Sequence, residues 1–189
     1  MTYRYVWAGL LCLLSSCSPT PSSTPTEEAP PLNLGSPSVC EELRNGLPPV
    51  VPPVQIPSGR SMDPFSPEVQ EWLKKQVLPV GVYAPIGRWK GPEARELWFI
   101  ELMSPDGTLF YALLTDSTCN LLDTLLCAYQ QVFPNRVSQA QALLERDGSL
   151  LRRSEERVTD FVGEEPRTTT TTSESRYQVD WAAGKLRRL

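Results

Sequence analysis

One stretch constrains the fold more than any other: ELWFIELM at 96–103, then SPDG, then TLFYALLTD at 108–116. Pro105 and Asp106 suit the central positions of a type I turn, and Gly107 supplies the positive φ that follows it in a bulged hairpin. The sequence therefore predicts strands over 96–103 and 108–116. Successive side chains of a strand point to opposite faces, so Trp98, Ile100 and Leu102 share one face while Leu97, Phe99 and Met103 share the other. Phe110, Ala112 and Leu114 oppose Leu109, Tyr111 and Leu113 in the same way. A strand that is apolar on both faces needs cover on both, which places this hairpin at the centre of its domain.

The flanking segments supply candidate cover. Asp63 or Ser66 suits a helix cap and Pro67 its first turn; Val69, Trp72, Leu73 and Val77 then recur at helical spacing until Pro79. Between Val80 and Trp89 the residues Gly81, Pro85 and Gly87 point to an irregular or edge strand. After the hairpin, Asp116 or Ser117 reads as a cap, and Leu121, Leu122, Leu125, Leu126, Tyr129, Val132 and Phe133 trace one face of a helix ending before Pro134. A second helical piece is expected from Ser138 to about Arg146, carrying Ala140, Ala142, Leu143 and Leu144. Farther on, the β-branched run Thr168–Thr172 and the alternation Tyr177, Val179, Trp181 favour strands. A long hairpin over 150–162 and 167–181 and a short last strand at 185–189 follow. The expected class is α+β: a small single domain with a central antiparallel hairpin sheet under two or three short helices.

Upstream the chain changes character. Eleven of its 19 prolines lie between Ser18 and Pro57, and each removes a backbone donor and fixes its own φ. Residues 17–57 are thus expected to be a tether, with the folded domain at 58–189. Val50, Val51, Val54 and Ile56 are more apolar than a free linker needs, so this end is expected to lie along the domain.

Before the tether, Arg4 precedes an apolar run from Tyr5 to Leu14 and the small residues Ser15 and Ser16, the layout of a secretory signal over 1–16. Ten apolar residues span about 15 Å as a helix, roughly half a bilayer core, which fits a removable segment. Leu14-Ser15-Ser16-Cys17 resembles the lipobox of bacterial lipoproteins. The resemblance implies that Cys17 is diacylated and becomes the first residue of the mature chain, anchored in the cell envelope at an outer membrane or the outer face of the cytoplasmic membrane. Two acyl chains hold a protein at a bilayer without any further contact.

That compartment is oxidising, so the other cysteines bear on the fold. Cys12 leaves with the signal; Cys40, Cys119 and Cys127 remain. On one continuous helix Cys119 and Cys127 stand about 12 Å apart, beyond the reach of a disulfide. A bridge from Cys40 to Cys127, or to Cys119, would clamp the tether to the domain, with all three unpaired as the alternative.

The chain lacks histidine, which excludes Ser-His-Asp and Cys-His nucleophiles and the common histidine-containing zinc sites. With 18 basic and 22 acidic side chains, it has no sequence-wide attraction for nucleic acid. Glu101 is the one carboxylate whose place on a central strand suggests acid–base chemistry; the alternative is a seat at the sheet rim or an ion pair with Arg88 or Arg95. Arg152, Arg153 and Arg157 interleave with Glu155 and Glu156 as a solvated face. The expectation is a noncatalytic envelope lipoprotein, without cofactor or metal, that binds an envelope protein or polymer. A carboxylate-dependent hydrolase of cell-wall glycans and a carrier of an apolar ligand are the alternatives.

Overall fold

The computed structural model describes residues 37–57, 63–162 and 165–189, all within one compact unit. Cys17, the lipobox-like quartet, the signal segment and the first half of the tether lie outside them. In chain order the elements are α1 (Pro37–Gly46), β1 (Val54–Ile56), α2 (Pro67–Gln76), β2 (Val82–Lys90), β3 (Glu96–Ser104), β4 (Gly107–Thr115), β5 (Leu121–Phe133), β6 (Arg136–Leu144), β7 (Ser149–Val162), β8 (Glu165–Asp180) and β9 (Lys185–Arg188). The strands form one antiparallel sheet in which β2 to β9 are neighbours in sequence order and β1 pairs with β6. The domain is mostly β, with two helices among the described residues, rather than the helix-covered hairpin expected from sequence.

The doubly apolar hairpin is central, and its two faces are covered by different means. Trp98, Ile100, Leu102 and Leu113 pack against Val39, Leu43 and Leu47 of α1 and the following turn and against Val69, Trp72 and Leu73 of α2. On the other face Leu97, Phe99, Phe110, Ala112 and Leu114 meet Ala128, Ala142, Leu144, Leu150, Tyr177 and Val179. The sheet itself supplies this second cover, because it curls until its later strands lie over the hairpin. Trp181, just beyond β8, stands edge-on to Trp89 near the end of β2 at 5.3 Å between ring centroids. The Leu186 N–H donates to Asp123 Oδ2 at 2.8 Å, joining β9 to β5. Each fully buried Leu, Ile or Phe of these cores contributes about 1.5–3 kcal/mol of transfer free energy.

Helix α2 forms as its sequence predicts. Ser66 is the N-cap, its hydroxyl accepting from the Val69 N–H, and Pro67 occupies the first turn. Glu42 of α1 holds that cap in turn, accepting from the Ser66 N–H at 3.1 Å and from its hydroxyl at 2.8 Å.

The two helices expected between Asp116 and Arg146 are strands β5 and β6. Two irregularities in the β4–β5 pairing explain the first error. Phe110 and Tyr111 face Ala128 and Leu126, and Leu114 and Thr115 face Asp123 and Leu121, so Cys127 and Leu122 are extra residues on β5. Each extra residue resets the period-2 alternation, and two resets in one strand imitate helical spacing. In β6, alanine and leucine are strong helix formers in isolation. The pattern Ser138, Ala140, Ala142, Leu144 is instead strict alternation, all four buried, and sheet context overrides the propensity. Beyond them the long hairpin and short last strand form as predicted.

Residues 37–57, expected to be tether, are part of the folded body. Leu43 and Leu47 are fully buried; Pro37 opens α1, and the four prolines at 48, 49, 52 and 53 lie between α1 and β1. The apolar end lies along the domain as anticipated. β5 pairs with β4 on one side from Leu121 to Gln131 and with β6 on the other only from Tyr129 to Phe133, and β1 takes the place beside Ala142–Leu144 that β5 does not reach.

Strand β2 is an edge strand with a bulge at Ile86, and its own chain caps it. The side chain of Gln70 brackets Tyr83, its Oε1 accepting from the Tyr83 N–H and its Nε2 donating to the Tyr83 carbonyl. The Val50 N–H donates to the Arg88 carbonyl and the Arg88 N–H to the Pro48 carbonyl.

Candidate functional site

Glu101 sits on the Phe99 face of β3, half-buried, with Ala84 and Phe110 as its cross-strand neighbours. Burial alone pushes its carboxyl above the ordinary glutamate range, and no neighbouring charge contributes. Neither expected arginine pairs with it. Arg88 is bound to Glu96, and the guanidinium of Arg95 lies beside Gly184. Neither residue paired with Glu101 across the sheet, Ala84 or Phe110, is a second carboxylate.

The carboxylate that gathers partners is Glu96, which the sequence reading passed over. It is buried, accepts from Trp98 Nε1 at 2.8 Å and from Arg88 Nη1 at 3.3 Å, and forms an ion pair with Arg44 Nε at 3.4 Å. Arg44 also donates to the Ser117 carbonyl at 2.6 Å. The cluster joins α1, β2, β3 and the β4–β5 turn, which is a structural role. Its signal in the sequence was the spacing of Glu96 and Trp98, two residues apart and hence on one face.

The same turn takes the disulfide. Cys40 on α1 bridges to Cys119, with Cα atoms 5.8 Å apart; the other expected pairing, to Cys127, does not form. That pairing assumed a helix carrying Cys119 and Cys127. In the strand, Cys127 is a bulge residue turned into the core, its thiol 3.2 Å from the Phe110 carbonyl and pushed up to about 12 chiefly by burial. Asp116, expected to cap a helix, organises the turn: it accepts from the backbone N–H groups and side chains of both Thr118 and Asn120. Burial pushes its carboxyl up, and these bonds outweigh that and hold it below the usual range.

The basic and acidic residues of β7 divide. Arg153 pairs with Glu174 at 2.8 Å, Arg157 with Glu155 and Arg136 with Glu156, in the exposed setting anticipated. Arg152 departs from it. It turns toward the core, donates to the Leu126 carbonyl at 3.0 Å and lies over the Tyr177 ring at 5.4 Å.

On the sheet face opposite the apolar core, two adjoining grooves run across β1, β6, β7 and β8. One, of about 460 Å³, is walled by Gln139, Gln141, Arg153, Glu155, Thr172 and Glu174. The next, of about 420 Å³, shares Gln141 and Arg153 and adds Gln55, Leu143, Glu145 and Leu151. A third, smaller groove lies between Pro49–Pro52 and Arg88–Lys90. Glu101 lines none of the three. Amide, hydroxyl and paired-charge groups along the first two suit hydrogen bonding to an extended polar partner. Among the described residues no three His, Cys, Asp or Glu side chains converge on a metal site.

Comparison of the chain with known protein families, with curated proteins and with solved structures returns no match.

Proposed function

We propose that this chain is a lipid-anchored protein of a bacterial envelope whose folded body acts as a noncatalytic binding or structural module. One observation carries the reading: an apolar segment of signal length ends in Leu14-Ser15-Ser16-Cys17. The Cys40–Cys119 bridge supports it, since disulfides persist in exported proteins and are rare in the cytosol. The grooves across β6–β8 support a role by contact, with an envelope protein or polymer as partner.

Radiolabelled palmitate fed to cells expressing the full chain tests the anchor. Label enters the wild-type protein and is lost from Cys17→Ser, which also leaves the membrane fraction; equal labelling of both chains would overturn the anchor. Crosslinking in intact cells tests the module, and recovery of no envelope component above background counts against it.

A further inference from the structure

The two edges of the sheet are treated differently. β2 is capped by Gln70, Pro48 and Val50 at Tyr83 and Arg88. β8 pairs with β7 from Glu165 to Gln178, but β9 covers its other side only from Tyr177 to Asp180. From Glu165 to Ser175 that side has no partner among the described residues, and every side chain from Glu165 to Glu174 is exposed. The Arg176 carbonyl accepts from the Leu189 N–H on the β9 side, and the β7–β8 register has no shift. Backbone groups of alternate residues point to the same side of a strand, so Thr168, Thr170, Thr172 and Glu174 direct both N–H and C=O outward. Pro166 falls in the same series, and its missing donor faces the open edge.

An open strand edge invites another strand, and proteins blunt such edges with charged side chains, proline, bulges or cover. Pro166, Arg167 and Glu174 stand at the two ends of this edge, and Thr168–Ser173 between them has none of these. It is also self-complementary. A two-fold axis normal to the sheet makes an antiparallel pair in which one residue faces its own copy. The run Thr168–Thr172 is symmetric about Thr170. Centred there, Thr168 faces Thr172 of the second copy, Thr169 faces Thr171, Arg167 faces Ser173 and Pro166 faces Glu174. Threonine meets threonine on both sheet faces, a favourable cross-strand pair, and no like charges oppose. We propose that the β8 edge, through Thr168–Thr172, pairs antiparallel with the same edge of a second copy, joining two sheets into one. The occupant is a second copy rather than a foreign strand because the edge matches its own sequence reversed. The proposal does not rest on the lipid anchor.

Full-length Thr170→Cys, expressed with its leader and oxidised, tests the register. Directly paired residues of this type hold their Cα atoms about 5.5 Å apart, within disulfide range. The chain is expected to run at twice its mass on a non-reducing gel, while Val82→Cys on the capped β2 edge stays single. In sedimentation of the detergent-solubilised full chain, the protein mass is expected to halve in Thr170→Pro, which removes an outward N–H and leaves the β7 pairing intact. Thr170→Lys, which sets two ammonium groups face to face, should halve it too, with thermal melting of both variants retaining the cooperative transition of the wild type. A monomeric wild type overturns the proposal, including a monomer whose edge is covered by residues preceding Pro37. So does a Thr170→Cys chain that stays single or crosslinks to a different protein.

Discussion

Two glutamates on β3 show how one strand assigns opposite fates to the same side chain. Glu96 is buried but surrounded by Trp98, Arg88 and Arg44, so its charge is matched where it sits. Removing it strands two arginines at a helix–sheet contact, and Glu96→Ala is expected to lower unfolding stability by about 3 kcal/mol in urea titration. Glu101 is half-buried with no hydrogen bond or ion pair among the described residues. Its folded pKa is raised, so the stability tied to its protonated form is fully present below the unfolded value and is lost as pH rises through the folded one. Glu101→Gln should therefore make the domain more stable than wild type at neutral pH, and the advantage should vanish toward pH 3, as urea midpoints at the two pH values will show. An advantage that persists in acid would mean that packing, and not the buried charge, is responsible.

At the scale of elements, bulges and tight turns shape the sheet. The β3–β4 connection is two residues, Pro105 and Asp106, with Ser104 opposite Gly107. Gly107 has φ 137, and an added Cβ would overlap the Gln130 carbonyl on β5. A substitution here meets both a disfavoured backbone and a neighbouring strand, so Gly107→Ala is expected to cost more than about 1 kcal/mol. The larger loss should come with weakened amide protection on β4 and β5, read by hydrogen exchange. β5 stays paired with β4 from Leu121 to Gln131 and meets β6 only from Tyr129 to Phe133, and β1 docks on the stretch of β6, Ala142–Leu144, that lies beyond that contact.

For the molecule as a whole, the Cys40–Cys119 bridge fastens α1 to the β4–β5 turn across 79 residues of sequence. A loop of that length stabilises the fold by about 4 kcal/mol in the chain-entropy account. The double variant Cys40→Ala, Cys119→Ala should lose about that much, whereas Cys127→Ala, which breaks no bridge, should lose only what a small buried side chain contributes. Comparing the two by denaturant titration separates the bridge from Cys127; an equal loss in both would put the stability in core packing. Arg44 and Glu96 lie beside the bridge, so the cluster and the disulfide should couple in a double-mutant cycle.

The hairpin at 96–116 was legible because its turn residues, its alternation and its double apolar faces agree, and α2 because cap, proline and helical spacing agree. The last two long strands were legible through their β-branched residues. Local preference settled each of these. What covers the hairpin was not local: helices on one face and the sheet's own later strands on the other depend on which segments can reach it. The identity of β5 and β6, the docking of β1, the choice of Cys119 over Cys127 and a β8 edge without a partner among the described residues are settled by how distant segments assemble. A bulge erases periodicity within its own strand, and an edge exists only by the absence of a neighbour, which single-chain spacing cannot express.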